Sequence, residues 1–231
     1  KAFKKYGDDI AAIFVEPIAG NMGCIPASFD FLETAKNLAK EYGSLLVFDE
    51  VMTGFRVDKG SAQKIYNIKP DLTLLGKIIG GGLPVGAVGG RSEIMDMLAP
   101  SGPVYQAGTL SGNPISMAAG IATLSKLKSN DFYQTLLCLT EKLTTGFQAI
   151  AEQHNVPLVC NSVCGMFGLF FSDNKNINCL KDVEKSNVET FNKFFHLMLA
   201  NGVNFAPSPF EAAFVSIAHD EKIIEQTLAK A

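Results

Sequence analysis

Residues 45–87 read LLVFDEVMTGFRVDKGSAQKIYNIKPDLTLLGKIIGGGLPVGA. Two apolar runs stand inside this stretch. The first, Leu45 to Phe48, stops at the acid pair Asp49 and Glu50. The second, Leu72 to Leu75, stops at Gly76 and Lys77, and Gly80 to Gly82 and Pro84 follow. Short apolar runs bounded by turn residues fit strands buried on both faces, as in a parallel sheet. Open α/β sheets bind ligands beyond the carboxyl ends of their strands. Asp49 and Lys77 each fall where such a strand ends, so a carboxylate and an amine are expected at one sheet edge.

Pyridoxal phosphate needs that pair. Its aldehyde condenses with a lysine amine, and a carboxylate beside its ring nitrogen keeps that nitrogen protonated. Gly80 to Gly82 carry no Cβ, so backbone can pass close to a cofactor there. The same residues also fit an α/β core with one surface lysine and one helix-capping aspartate, and spacing alone does not separate the two readings.

Working outward, DIAAIFV (9–15) reads as a buried strand ending at Glu16 and Pro17, followed by the glycine-bounded loop IAGNMG. Residues 28–42 have helical periodicity, with Phe31, Leu32, Ala35, Leu38 and Ala39 on one face and Gly43 placed to end the helix. Strand, helix, strand in this order implies a right-handed parallel crossover. The connection 53–71 is long for a loop, as loops at ligand-binding edges often are. Within it Arg56 suits either a carboxylate or phosphate ligand, or an acid that holds the loop. A further strand is expected at Val85 to Val88 and a short helix from a Ser92 cap to Leu98. Asn113–Pro114 marks the start of a helix to Leu127, whose amino end suits an anion.

Composition shifts near 125–131, and we expect domains at 1–128 and 129–231. The second is expected to be a smaller α/β domain with helices at 136–153 and 183–200 and strands at 166–171, 203–205 and 214–218. Phe191, Phe194, Phe195 and Met198 fall at helical spacing and read as core.

Composition bounds the function. The 231 residues are 47% hydrophobic and 19% charged with a net charge of −3, which fits a globular protein without a basic field for nucleic acid. No apolar run reaches membrane-spanning length, so neither nucleic acid nor a membrane is expected as partner. The five cysteines form no C-x-x-C pair and the three histidines no paired motif, so we expect no metal site, reduced thiols and a cytoplasmic setting.

FDEVMTGFRV (48–57), PDLTLLGKIIGGGLPVGAVGG (70–90) and GPVYQAGTLSGNP (102–114), with FEAAFVSIAHD (210–220) near the end, resemble the glutamate-1-semialdehyde 2,1-aminomutases. These belong to the class III aminotransferase-like group of fold-type I pyridoxal-phosphate enzymes. The resemblance covers nearly the whole chain. It implies an α/β fold: part of a large cofactor domain with a mostly parallel sheet, and a smaller C-terminal α/β domain.

For activity, the resemblance implies conversion of glutamate-1-semialdehyde to 5-aminolevulinate for tetrapyrrole synthesis, with a two-substrate class III aminotransferase, or a truncated chain without catalysis, as alternatives. The cofactor alternates between pyridoxal and pyridoxamine phosphate. Lys77 would hold it and shuttle the proton, and Asp49 would face its ring nitrogen. Val51 would pack on the ring or simply in the core. Asn21 would reach the ring's phenolic oxygen, or serve as a turn asparagine. Thr109 would contact the cofactor phosphate of a neighbouring subunit, implying a homodimer, or cap a loop. Glu211 would contact substrate amino groups, or be a surface acid. The chain begins at Lys1 rather than Met, as expected of a fragment; family members extend further on the N-terminal side, where they carry a phosphate loop and a stacking aromatic. SVCGMFG (162–168) departs from the family order of Gly before Ser and Met.

Overall fold

The computed structural model describes residues 1–129 and 131–231. Asn130, inside the stretch where composition shifts, lies outside the described residues. The chain packs as two compact units, residues 1–17 with 28–128 and residues 18–27 with 129–231. The ten residues 18–27 thus pack with the second unit, whereas the linear reading kept them with the first.

The first unit opens with α1 (Ala2–Tyr6) and β1 (Ala12–Val15). Next comes α2 (Phe29–Tyr42), which starts where the Ser28 hydroxyl accepts the Phe31 N–H at 3.2 Å and ends at Gly43 with φ +68°. Both caps follow from the sequence: a hydroxyl satisfies an orphan amide at the start, and only glycine enters the left-handed region at no steric cost. Leu32, Ala35 and Ala39 are buried, but Phe31 is 55% exposed, so the apolar stripe is narrower than its periodicity implied.

The chain then enters β4 (Leu45–Glu50) and, after α3 (Ser61–Tyr66), β5 (Leu72–Leu75). The sheet order is β1-β4-β5-β6, with β1, β4 and β5 parallel and β6 (Ala87–Gly90) antiparallel to β5. Strand β6 begins two residues later than expected. Leu46, Val47 and Phe48 are all buried, so both faces of the central strand are covered, which is why its sequence shows no alternation. The turn α4 (Ser92–Met95) is capped at Arg91 without a side-chain bond, not by Ser92. Helix α5 (Pro114–Lys126) starts as read, with Asn113 Oδ1 accepting the Ser116 N–H at 2.9 Å.

In the second unit, β2 (Ile18–Ala19) and β3 (Ile25–Pro26) form a short antiparallel ribbon. An antiparallel sheet follows, β7 (Val159–Val163), β8 (Met166–Phe170) and β9 (Ala213–Phe214). The helices are α6 (Phe132–Gln153), α7 (Leu180–Val183), α8 (Val188–Ala200) and α9 (Glu221–Leu228). Leu139, Leu143 and Phe147 of α6 meet Phe167 and Leu169 of β8, Met198 of α8 and Ile224 of α9 in one core. The helix expected over 183–200 is two, because the Asn187 side chain accepts the Thr190 N–H and starts a new one. Residues 203–205 form no strand. Among the described residues, no helix is long and apolar enough to cross a membrane.

Candidate active site

The carboxyl ends of β4 and β5 carry the two residues singled out first. In the parallel register Asp49 stands opposite Leu74 and Glu50 opposite Leu75. Lys77 comes two residues after Leu75, opening a 3₁₀ turn over Lys77–Gly80. Carboxylate and amine therefore sit at the same edge of the same sheet.

Each is held locally. Asp49 Oδ1 accepts the Val51 N–H at 3.0 Å, which orients the carboxylate over the turn that leaves β4. That turn packs on the start of the lysine turn: a Cβ added at Gly76 would meet Val51 Cγ1 at 3.1 Å, and one at Gly54 would meet Leu75 Cδ2 at 2.5 Å. Asp49, Val51 and Lys77 are thus brought together within the first unit. Lys77 has φ +46°, the left-handed region that residues with a Cβ seldom enter. Such outliers persist where the surrounding structure over-determines them. Here Ile79 N–H bonds Gly76 O at 3.2 Å and Gly81 N–H bonds Ile78 O at 3.1 Å. The turn also lies directly on α5, since a Cβ at Gly120 would run into the Ile79 carbonyl. The Ser116 hydroxyl of α5 donates to Pro84 O at 3.2 Å and fixes the far end of the glycine-rich loop.

An open cavity of about 830 Å³ lies beside this turn, lined by Lys77, Ile78, Gly81 to Val85, Thr123 and Arg56. Arg56 was not assigned to a site from sequence. Its Nε donates to Met52 O at 3.0 Å, and burial pulls its guanidinium below its ordinary value. The signal was present, an arginine in a long connection at the binding edge, but its direction is set by a turn the sequence does not spell out. Both ionisable groups lining this cavity are cationic, so it favours anions.

Thr109 is exposed in the loop before α5. Its neighbours Gly108, Leu110, Ser111 and Gly112 line a second cavity of about 800 Å³, which shares Pro84 and Val85 with the first.

Asn21 and Glu211 belong to the second unit. Gly23 N–H bonds Phe210 O at 2.6 Å and Ala212 N–H bonds Gly20 O at 3.3 Å. These two bonds bracket both residues, so the unit brings Asn21 and Glu211 onto adjoining segments, each exposed. Glu211 also lines a cavity of about 670 Å³ with Phe167, Phe205 and His219. His219, in sequence one of three histidines without a paired motif, has its Nδ1 3.0 Å from the Ser216 backbone nitrogen.

The comparisons with known proteins agree on one fold. Residues 1–223 match the family model described as aminotransferase class-III. A β-phenylalanine aminotransferase from Variovorax paradoxus is 30% identical, with a TM-score of 0.90 over 99% of this chain and 52% of that one. An omega-transaminase from Sphaerobacter thermophilus is 28% identical, with a TM-score of 0.85 over 99% of this chain and 53% of that one. A glutamate-1-semialdehyde aminomutase from Pseudomonas aeruginosa PAO1, solved in complex with PMP, is 22% identical with a TM-score of 0.85 over 96% of this chain and 51% of that one. At that identity the likeness is one of fold. The chain spans about half the length of these structures. The α/β architecture with a mostly parallel sheet read from the sequence is the one observed.

Proposed function

This chain belongs to the class-III aminotransferases, and from that premise we propose that it performs pyridoxal-phosphate-dependent amino transfer with Lys77 and Asp49 as its catalytic pair. The observation that carries the reading is the register of β4 and β5, which puts an oriented carboxylate and a lysine amine at one sheet edge with Val51 packed between their turns.

The residues present fit the cofactor. An aspartate at a ring nitrogen, an amine beside an anion-favouring cavity and an apolar Val51 match its acidic, electrophilic and planar parts in turn. When bound, pyridoxal phosphate supplies an electron sink that acidifies the substrate C–H. Asp49 would face the ring nitrogen, where its negative charge would favour the protonated form. The Lys77 amine would hold the cofactor and serve as the base that takes up and returns the substrate proton. As the resemblance implies, Asn21 would donate to the phenolic oxygen, and Glu211 would meet the substrate amino group. Thr109 would contact the cofactor phosphate of a partner copy, as the resemblance implies, and on that ground we propose a homodimer with shared sites.

The finer reaction we propose is the intramolecular one, glutamate-1-semialdehyde to 5-aminolevulinate, supported by the motifs at 48–57 and 102–114. A two-substrate aminotransferase is the second reading, favoured by the higher identities to the β-phenylalanine aminotransferase and the omega-transaminase.

Borohydride reduction with pyridoxal phosphate, followed by peptide mapping, tests the premise: label concentrates on Lys77, and scattered label sinks it. Product formation from the semialdehyde without any added amino acceptor then separates the two reactions.

A further inference from the structure

Strand β5 reads LTLL and β4 begins LLV, and every residue of β5 is half-buried. An apolar run without strict alternation specifies its own register only weakly, because a slip by one residue exchanges a leucine with Thr73 or with another leucine, not apolar with charged. Such a slip would move Lys77 by about 3.3 Å along the strand direction, out of step with Asp49. Something polar must set the register.

Asp71, immediately before β5, meets the requirement. Its Oδ2 accepts the Leu46 N–H at 2.8 Å, and its own N–H donates to Leu46 O at 2.8 Å. Side chain and main chain of one residue thus close a ring on one residue of β4. Oδ1 accepts Arg91 Nη1 at 2.8 Å, and Arg91 N–H returns to Asp71 O at 3.1 Å, so the end of β6 is held by the same aspartate. Another side-chain tie on β5, Gln63 Nε2 to Thr73 Oγ1 at 3.0 Å, is between neutral groups and weaker than bonds to a carboxylate.

We infer that Asp71 is a positioning residue of the site: its ring with Leu46 fixes β5 on β4 in the one register that sets Lys77 level with Asp49. The chemical consequence rests on the proposed role of Lys77; the register stands on the geometry alone.

The test uses isotope-labelled whole chain. Cross-strand NMR contacts between Asp49 and Leu74 report the register, and borohydride trapping of pyridoxal phosphate reports the share of label on Lys77. Asp71→Ala is expected to stay folded by circular dichroism, to lose the 49–74 contact, and to cut the Lys77 share about tenfold or more, as small misplacements do. Asp71→Asn, whose amide oxygen still accepts the Leu46 N–H, and Arg91→Gln, which spares the ring, are expected to keep both readouts within about twofold. Retention of the 49–74 contact in folded Asp71→Ala overturns the inference. Should that variant not fold, Asp71→Glu decides: it keeps the charge but carries the carboxylate one methylene past Leu46, and an unchanged 49–74 contact there overturns the inference equally. If the unaltered chain does not label at Lys77, the proposed function fails, and the NMR contacts still judge the register.

Discussion

The carboxylate of Glu50, fully buried, receives the backbone N–H of Ala62 at 2.7 Å and that of Gln63 at 3.1 Å, with the Thr53 hydroxyl donating at 2.9 Å. Adjacent residues of a strand face opposite sides of the sheet. The acid pair at the end of β4 is therefore divided: Asp49 faces the lysine edge and Glu50 anchors the start of α3. Glu50→Ala strands three donors and is expected to lower the unfolding free energy by about 3 kcal/mol. Glu50→Gln, which keeps one acceptor, costs about half as much. Urea titration measures both, and a loss under about 1 kcal/mol for the alanine variant would rule out the anchoring role.

At Lys77 the usual order of glycine and alanine is expected to invert. Glycine in ordered backbone normally costs stability, but φ +46° penalises any residue with a Cβ. Lys77→Gly should be more stable than Lys77→Ala by about 1 kcal/mol, while neither takes up pyridoxal phosphate at this position. Equal stability of the two would mean the left-handed turn is not kept in solution.

The packing of the lysine turn on α5 depends on Gly120. Gly120→Ala drives a methyl into the Ile79 carbonyl, so helix or turn must move. A cost of about 1–3 kcal/mol is expected, together with reduced labelling of Lys77. Gly86→Ala is the control, since nothing lies within 4 Å of a Cβ there and φ is not positive; it should change neither quantity.

The cysteines separate by environment. Burial pushes the thiols of Cys24 and Cys160 up to about 12, while Cys138 and Cys179 are exposed. Iodoacetamide at pH 8 should modify Cys138 and Cys179 readily, and reach buried Cys24 and half-buried Cys160 only after unfolding. The raised values also set a pH dependence. Between about 9 and 12 the unfolded thiols ionise and the folded ones do not, so the unfolded chain binds fewer protons and stability falls as pH rises. The expected slope is about 1.4 kcal/mol per thiol per pH unit. A flat stability from pH 9 to 11 would contradict it.

The sheet of the first unit was legible because its strands declare themselves twice, by unbroken apolar runs and by the turn residues that end them. Gly43 and Asn113 were legible as caps for the same local reason: a side chain or a missing Cβ serves an amide within a few residues. What escaped reading is what distant contacts decide. Two-residue strands such as β2 and β3 carry no periodicity, so nothing local announced that residues 18–27 leave the first unit. Val159–Val163 has the composition of a loop and becomes a strand only by pairing with β8. The break before Val188 came from one asparagine that caps in preference to continuing a helix. At the candidate site, the placing of Asp49 and Lys77 at one sheet edge was legible because each stands where an apolar run ends. The bonds of Glu50 to α3 and of Asp71 to Leu46 were not, because those partners lie 12 and 25 residues away.

The bonds of Gly20 and Gly23 with residues 210–212 carry a consequence for biosynthesis. The β2–β3 ribbon leaves the ribosome well ahead of the backbone that receives it, which is made roughly 190 residues later. At about 5–20 residues per second this is a wait on the order of 10–40 s. The first unit therefore has all of its own residues available while a ribbon threaded through its sequence still has nowhere to dock. In translation-arrested chains the order should be visible: protease protection arrives for residues 28–128 as a block, and for residues 18–27 only once the turn at Phe210 has emerged.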